Sequence, residues 1–270
     1  MKALILFCLL LLEPSKAQIM GGEPAHPGQF PFAVQIRKVN CVGDCICGGS
    51  IIAPQWVLTA AHCVREYGRT RKVAVVAGDV WTDRKRGITG RVEIPPEKVQ
   101  VHPYPRYEAD TRNDVALIFL ETPFESKPNI KMIAFGQGTL EVGDECRMMG
   151  WGATKVSWKT LVGSRQATRL QHGKLKVTSL RKQSVLFENL KRDGVYPLNG
   201  DSGGPLVCED FDGREKLFGW HMSGNLKKNQ KRYARLKFFK DWIRKTREKV
   251  EGENDKFQKD KSLDVYSNVA

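Results

Sequence analysis

The sequence predicts an all-β protein with a single helix at its C-terminal end, and three observations carry that expectation. Between Ile19 and about Leu236 the 270-residue chain reads as short apolar runs broken by Gly, Pro and Asn/Asp. That is the pattern of short strands and tight turns found in sandwiches and barrels. Residues 121–128 hold Pro123 and Pro128 and no strand alternation, which marks a crossover between two halves. Phe238, Phe239, Trp242, Ile243 and Val250 then recur at helical spacing among lysines and arginines. A chain of this length has room for two small barrels against one another.

Taken in chain order, residues 1–18 read as a secretory leader: Lys2, an apolar run over 3–12, then Ser15 and Ala17, small residues that suit cleavage after Ala17. The run is about half the roughly twenty residues needed to span a bilayer, so the expectation is a secreted, soluble protein with no membrane span. Strand-like runs follow at residues 32–36, 56–58, 72–76, 115–120 and 174–177. The helix is expected over 238–250, docking its apolar side on the second half. Residues 251–270 are charged and lack a period, the composition of a mobile tail.

Seven cysteines become six when Cys8 leaves with the leader. An even number in an oxidising compartment favours disulfides over metal ligation, and no pair has zinc-site spacing with nearby histidines. No metal or cofactor is expected. Arg84, Lys85 and Arg86 follow Gly78 and Asp79 where a calcium loop would need carboxylates.

The formal charge is +14, from 44 Lys+Arg against 30 Asp+Glu. Basic residues cluster over 65–72, 84–86, 181–182, 227–237 and 244–249. Two readings stay open: attraction to polyanions such as glycosaminoglycans, or solvated surface charge. No nucleic-acid motif accompanies the charge.

Three separated fragments carry chemistry. Thr59-Ala60-Ala61-His62-Cys63 supplies a histidine, Asn113-Asp114-Val115 an aspartate, and Gly200-Asp201-Ser202-Gly203-Gly204-Pro205 a serine. A serine hydroxyl needs a base beside it, and the base needs a buried carboxylate to fix its tautomer. His, Asp, Ser is one of the few known chain orders for that arrangement. With Ile19-Met20-Gly21-Gly22, these fragments resemble the trypsin/chymotrypsin family of serine proteases, from Ile19 to about Val250.

The resemblance implies two antiparallel β-barrels, over about 19–120 and 132–237, with the active site in the cleft between them and a terminal helix. It assigns His62, Asp114 and Ser202 as the catalytic set and the amides of Gly200 and Ser202 as the oxyanion hole. Ile19 and Asp201 would form the ion pair made on activation, and Tyr196, Met222, Ser223, Gly224 and Lys231 would line the specificity pocket. It also implies disulfides Cys47–Cys63 and Cys146–Cys208. The remaining Cys41 and Cys45 would pair across 42–44, a loop short enough to strain the geometry.

Tyr196 stands where trypsin-like enzymes carry an aspartate, Leu198 replaces a usual cysteine, and Lys231 replaces a glycine. On an ungapped reading Met222 replaces the serine that supports the buried aspartate; a one-residue slip gives Ser223 that place. Neither His26, His102, His172 nor His221 is given a catalytic role, and Trp151 is read as packing.

The function expected is a secreted serine endopeptidase acting through an acyl-enzyme on proteins or peptides, without trypsin-like specificity. Storage in granules is compatible with it. The alternative is a catalytically impaired homologue that binds through its basic surface. A monomer is the default.

Overall fold

Branched residues concentrate in the apolar runs, for example Val73, Val75 and Val76, and these runs become strands. The computed structural model describes residues 22–41, 45–66, 69–83, 90–107, 113–157, 162–188, 200–225 and 230–267. The first half contains β1 (Glu23–Pro24), β2 (Ala33–Lys38), β3 (Ile46–Ala53), β4 (Trp56–Thr59), α1 (Ala61–Val64), β5 (Arg65–Glu66), β6 (Arg69–Thr70), β7 (Val73–Ala77), β8 (Val92–Ile94), β9 (Val99–Pro103) and β10 (Ala116–Leu120). The second contains β11 (Glu145–Gly150), β12 (Ala153–Ser157), β13 (Val162–Gln166), β14 (Gln171–Leu180), β15 (Ser184–Glu188), β16 (Pro205–Glu209), β17 (Glu215–Asn225) and β18 (Gln230–Arg235), followed by α2 (Lys240–Ser267).

The fold is the expected one, with a difference between its halves. In the second, β14, β11, β16, β17, β18 and β15 follow one another, and a β14–β15 pairing closes the ring into a six-stranded barrel. The first is a seven-stranded sheet in the order β8-β7-β2-β3-β4-β10-β9, a half-barrel whose edge strands do not pair. β1 crosses over to pair with β14 of the second barrel. After the crossover, Gly136 and Leu217 continue the link, Gly136 N–H donating to Leu217 O at 2.9 Å and Leu217 N–H to Ala134 O at 2.9 Å.

Two of the three expected disulfides are present, Cys47–Cys63 and Cys146–Cys208. The Cys41–Cys45 bridge is not among the disulfides of the described residues. Its connecting loop, 42–44, lies outside them, and so short a loop disfavours the bond geometry.

The terminal helix corrects two expectations. It continues to Ser267 instead of ending near Val250. No proline interrupts residues 240–267, and the ion pairs Arg244–Glu248, Arg247–Glu251 and Lys249–Glu253 sit at helical i,i+4 spacing. It also docks largely on the first half. Trp242 lies 5.2 Å from Tyr104 between ring centroids, and the Trp56 indole N–H donates to Glu251 Oε1 at 2.7 Å. Phe239 contacts Trp220 of the second barrel at 5.4 Å.

Trp56 is 1% exposed, so its N–H has no easy route to water. Glu251→Ala should therefore cost about 1–3 kcal/mol, measured as a lower urea midpoint. Adding Trp56→Phe to that variant should cost less than the two single changes summed. An unchanged midpoint in Glu251→Ala would show that the bond contributes nothing.

Candidate active site

β4 runs directly into α1, so the base is delivered from the end of a core strand. Ala60 and Ala61 are fully buried, which anchors the turn, and the Cys47–Cys63 bond ties α1 to β3. His62 is left with 32% of its side chain exposed.

Asp114 arrives on the segment leading into β10. Asn113 precedes it with φ +55°, a left-handed conformation that asparagine tolerates better than most residues. Its side-chain amide donates to Arg106 O at 2.9 Å, and the turn points Asp114 inward, 3% exposed. The carboxylate then holds His62 at two points: Oδ1 accepts the His62 backbone N–H at 3.0 Å, and Oδ2 lies 2.8 Å from Nδ1. An ionised carboxylate only accepts, so Nδ1 carries the proton and Nε2 is left as the base. Trp220 fixes the loop from behind, its indole N–H donating to Asp114 O at 2.8 Å.

Ser202 sits on a turn with Gly200 at φ +100° and Gly203 at φ +76°. The turn is bonded to both halves. Ser202 O accepts the Gly48 N–H of β3 at 2.7 Å, and Gly203 N–H donates to His221 O of β17 at 2.8 Å. Cys63 Sγ, next to the base, is 3.5 Å from Ser202 O. The three fragments thus converge where the halves meet.

Asp201 is 1% exposed and accepts the Gly152 N–H at 2.7 Å. A Cβ at Gly150 or Gly152 would come within 2.1 or 2.3 Å of its carboxylate oxygens. Trp151 bridges the two glycines and donates to Val80 O at 2.9 Å. Sequence reading saw packing at Trp151 and missed the glycine cradle, which no local signal reveals. Ile19, the expected partner of Asp201, lies outside the described residues, as do Tyr196 and Leu198.

Of the remaining pocket residues, Met222 and Lys231 are buried and Ser223 is half-buried. Gly224 pairs with Lys231 across β17 and β18, and the ladder carries a bulge between His221 and Ser223. Among the described residues no hydroxyl donates to Asp114; its carboxylate is held by His62. Burial pushes the Lys231 ammonium down to about 8.

His221 is the histidine that sequence reading set aside. It is wholly buried against Tyr233, 5.1 Å between centroids, and lies within electrostatic reach of His62 and Asp114. Burial, and then the charge of His62, push its pKa down to about 3. Residues 217–222 of β17 are all buried, so no alternation in the strand singles it out.

Cys47, His62 and Cys63 lie close enough to suggest a metal site. The two sulfurs are joined as a disulfide and Nδ1 faces Asp114, so the trio lacks thiolates to ligate with. Asp79 is likewise engaged, by Arg91 at 3.0 Å and by the Trp81 N–H at 2.9 Å.

The buried imidazole has a stability consequence. An unfolded histidine takes a proton near pH 6.5, whereas folded His221 takes one only near 3. The unfolded state holds more protons in between, so this contribution is lost as pH falls from about 6.5 towards 3. In His221→Leu the loss of stability between pH 7 and pH 4 should be smaller than in the parent, by as much as about 1.4 kcal/mol per pH unit crossed. Urea midpoints at the two pH values measure it; parallel losses in both proteins would refute it.

Comparison with known proteins bears on the family and the fold. The chain is similar to serine protease 56 of Mus musculus, 31% identical over 245 residues that cover 84% of this chain and 38% of the relative. It is similar to transmembrane protease serine 9 of Rattus norvegicus, 30% identical over 242 residues covering 85% of this chain and 22% of the relative. The chain thus spans well under half the length of these two relatives. Among solved structures, human heparin binding protein aligns with a TM-score of 0.66 at 25% identity, over 83% of this chain and 94% of that one. The family model Trypsin matches residues 19–243, and the chain belongs to that family.

Proposed function

We propose that the protein is a secreted serine endopeptidase that cleaves peptide bonds through an acyl-enzyme on Ser202, with a specificity other than that of trypsin. The observation that carries this reading is the two-point hold of a buried Asp114 on His62. It fixes the tautomer that a nucleophilic serine needs. Ser202 Oγ attacks the scissile carbonyl as His62 Nε2 takes its proton, and Asp114 stabilises the imidazolium. The amides of Gly200 and Ser202 hold the oxyanion. The proton passes from Nε2 to the leaving amine, and a water activated by the same nitrogen then hydrolyses the ester. Ile19, freed by cleavage before it, would supply an ammonium to the buried Asp201. Secretion rests on the leader-like residues 1–18.

The specificity claim rests on the residues expected in the pocket. Tyr196 offers no carboxylate to pair with a substrate lysine or arginine, and Lys231, fully buried on β18, brings a long side chain where the family carries a glycine.

A fluorophosphonate probe should label the protein beginning at Ile19, and Ser202→Ala should abolish labelling. Asp114→Asn should slow peptide turnover by about four orders of magnitude, the size of effect seen when the tautomer is lost. Peptides with Lys or Arg before the cut should be the poorest in a positional library. Absence of Ser202-dependent labelling would defeat the enzymatic reading.

A second reading has its own support: a basic binding protein on the same scaffold. The net charge is +14, and the aligned solved structure is that of a heparin binding protein. Retention on heparin without Ser202 labelling would favour it.

A further inference from the structure

Several cations among the described residues sit beside a carboxylate. Arg71 pairs with Glu66, Arg91 with Asp79 and Glu93, Arg147 with Glu215, and Lys216 with Asp210 and Asp212. Four cationic residues instead gather at one corner of the second barrel. Arg181 and Lys182 occupy the turn between β14 and β15, Arg235 ends β18, and Lys237 lies in the 3₁₀ turn Leu236–Phe238. None of these four is ion-paired with a described carboxylate.

The fold holds them together. Arg235 N–H donates to Gln183 O at 3.0 Å and its Nη1 to Arg181 O at 3.0 Å, while Arg181 N–H donates to Ser184 O at 2.8 Å. Two of the cations lie over one ring: Arg235 Cζ is 5.3 Å and Lys237 Nζ 5.4 Å from the centroid of Phe238. That ring is 39% exposed. Arg181, Lys182 and Lys237 are exposed, and Arg235 is half-buried. Four like charges fixed at the ends of neighbouring strands repel one another unless an anion joins them.

We propose that this corner, with Arg235 and Lys237 over Phe238 and Arg181 and Lys182 on the adjoining turn, is a binding site for a sulfated polysaccharide. It deepens the second reading above and is independent of catalysis at Ser202. A linear sulfated glycan brings closely spaced anions, and the lysine stems and the rim of Phe238 give its sugar rings an apolar rest. Single-stranded nucleic acid is a poorer match, because base binding needs an open aromatic face and Phe238 already carries two cations. A bilayer is poorer too, since Phe238 is the sole exposed large hydrophobic at this corner among the described residues.

The test is immobilised heparin under a salt gradient, with the full-length protein. The parent should stay bound above about 0.15 M salt. Arg181→Gln/Lys182→Gln/Lys237→Gln should elute earlier and lower the slope of log affinity against log salt by about two to three. The control Arg69→Gln/Lys72→Gln/Lys98→Gln removes equal charge from exposed sites elsewhere and should change little. Melting curves of both variants should match the parent, because all six substituted residues are exposed and the half-buried Arg235 is left intact. No retention of the parent would overturn the polyanion reading itself. Equal shifts in the two variants would leave that reading standing and overturn this location. Tighter binding to double-stranded DNA or phosphatidylserine vesicles than to heparin would overturn the assignment to a glycan.

Discussion

Where the two halves meet, the nucleophile turn and strand β3 touch backbone to backbone, and the geometry of the cleft depends on that contact. A Cβ on Gly48 would fall 2.6 Å from the Gly204 Cα, and one on Gly203 would fall 2.2 Å from Thr59 Oγ1. Neither is tolerable. Because no side chain intervenes, Gly48 N–H reaches Ser202 O at 2.7 Å and Thr59 Oγ1 reaches Gly48 O at 2.8 Å. Thr59 lies three residues before His62, so one set of hydrogen bonds positions both the base and the turn bearing the nucleophile. The glycines after Ser202 are thus demanded by packing between halves and by a left-handed φ at Gly203, more than by the reaction itself.

This explains why the fragments bearing His62, Asp114 and Ser202 stand out in the sequence. Each of its members lies in a local fragment whose neighbours are constrained by the same close contacts, so the fragments announce themselves without a fold. Features that depend on distant partners did not. Gly150 and Gly152 cradle a carboxylate 49 or more residues away, and nothing beside them in the chain says so. His221 was set aside because an isolated histidine in an apolar strand has no distinguishing neighbour; only the fold brings it behind His62. The length of α2 was hidden for another reason. Its distal half carries no apolar period, and pairs such as Arg247–Glu251 and Lys249–Glu253 look the same in a solvated tail as in a helix.

The open first half has a counterpart in how the molecule is held together. A half-barrel leaves core side chains to be covered from outside, and α2 supplies cover: Ile243 and Val250 are buried in the same cluster as Trp56, Leu117 and Ile118. The Trp220 ring reaches from that cluster to Asp114 O. The approach to the helix, through Phe239 against Trp220, therefore lies one packing layer from the Asp114 loop. Its docking and the orientation of the base belong to one mechanical unit.

Electrostatics behind the site follow from burial in the same way. Asp114 is buried beside His62, and in the proposed reaction its partner is the imidazolium that forms on His62. A protonated His221 would compete. It would satisfy part of the Asp114 charge and repel a proton arriving on His62, making that base weaker. Enclosing His221 against Tyr233 removes the competitor by keeping it neutral until about pH 3. Exposing His221 to water would restore its ordinary proton affinity and bring a second cation beside the base near neutral pH. Burial of this histidine thus favours the role proposed for His62, by keeping a competing cation away from Asp114.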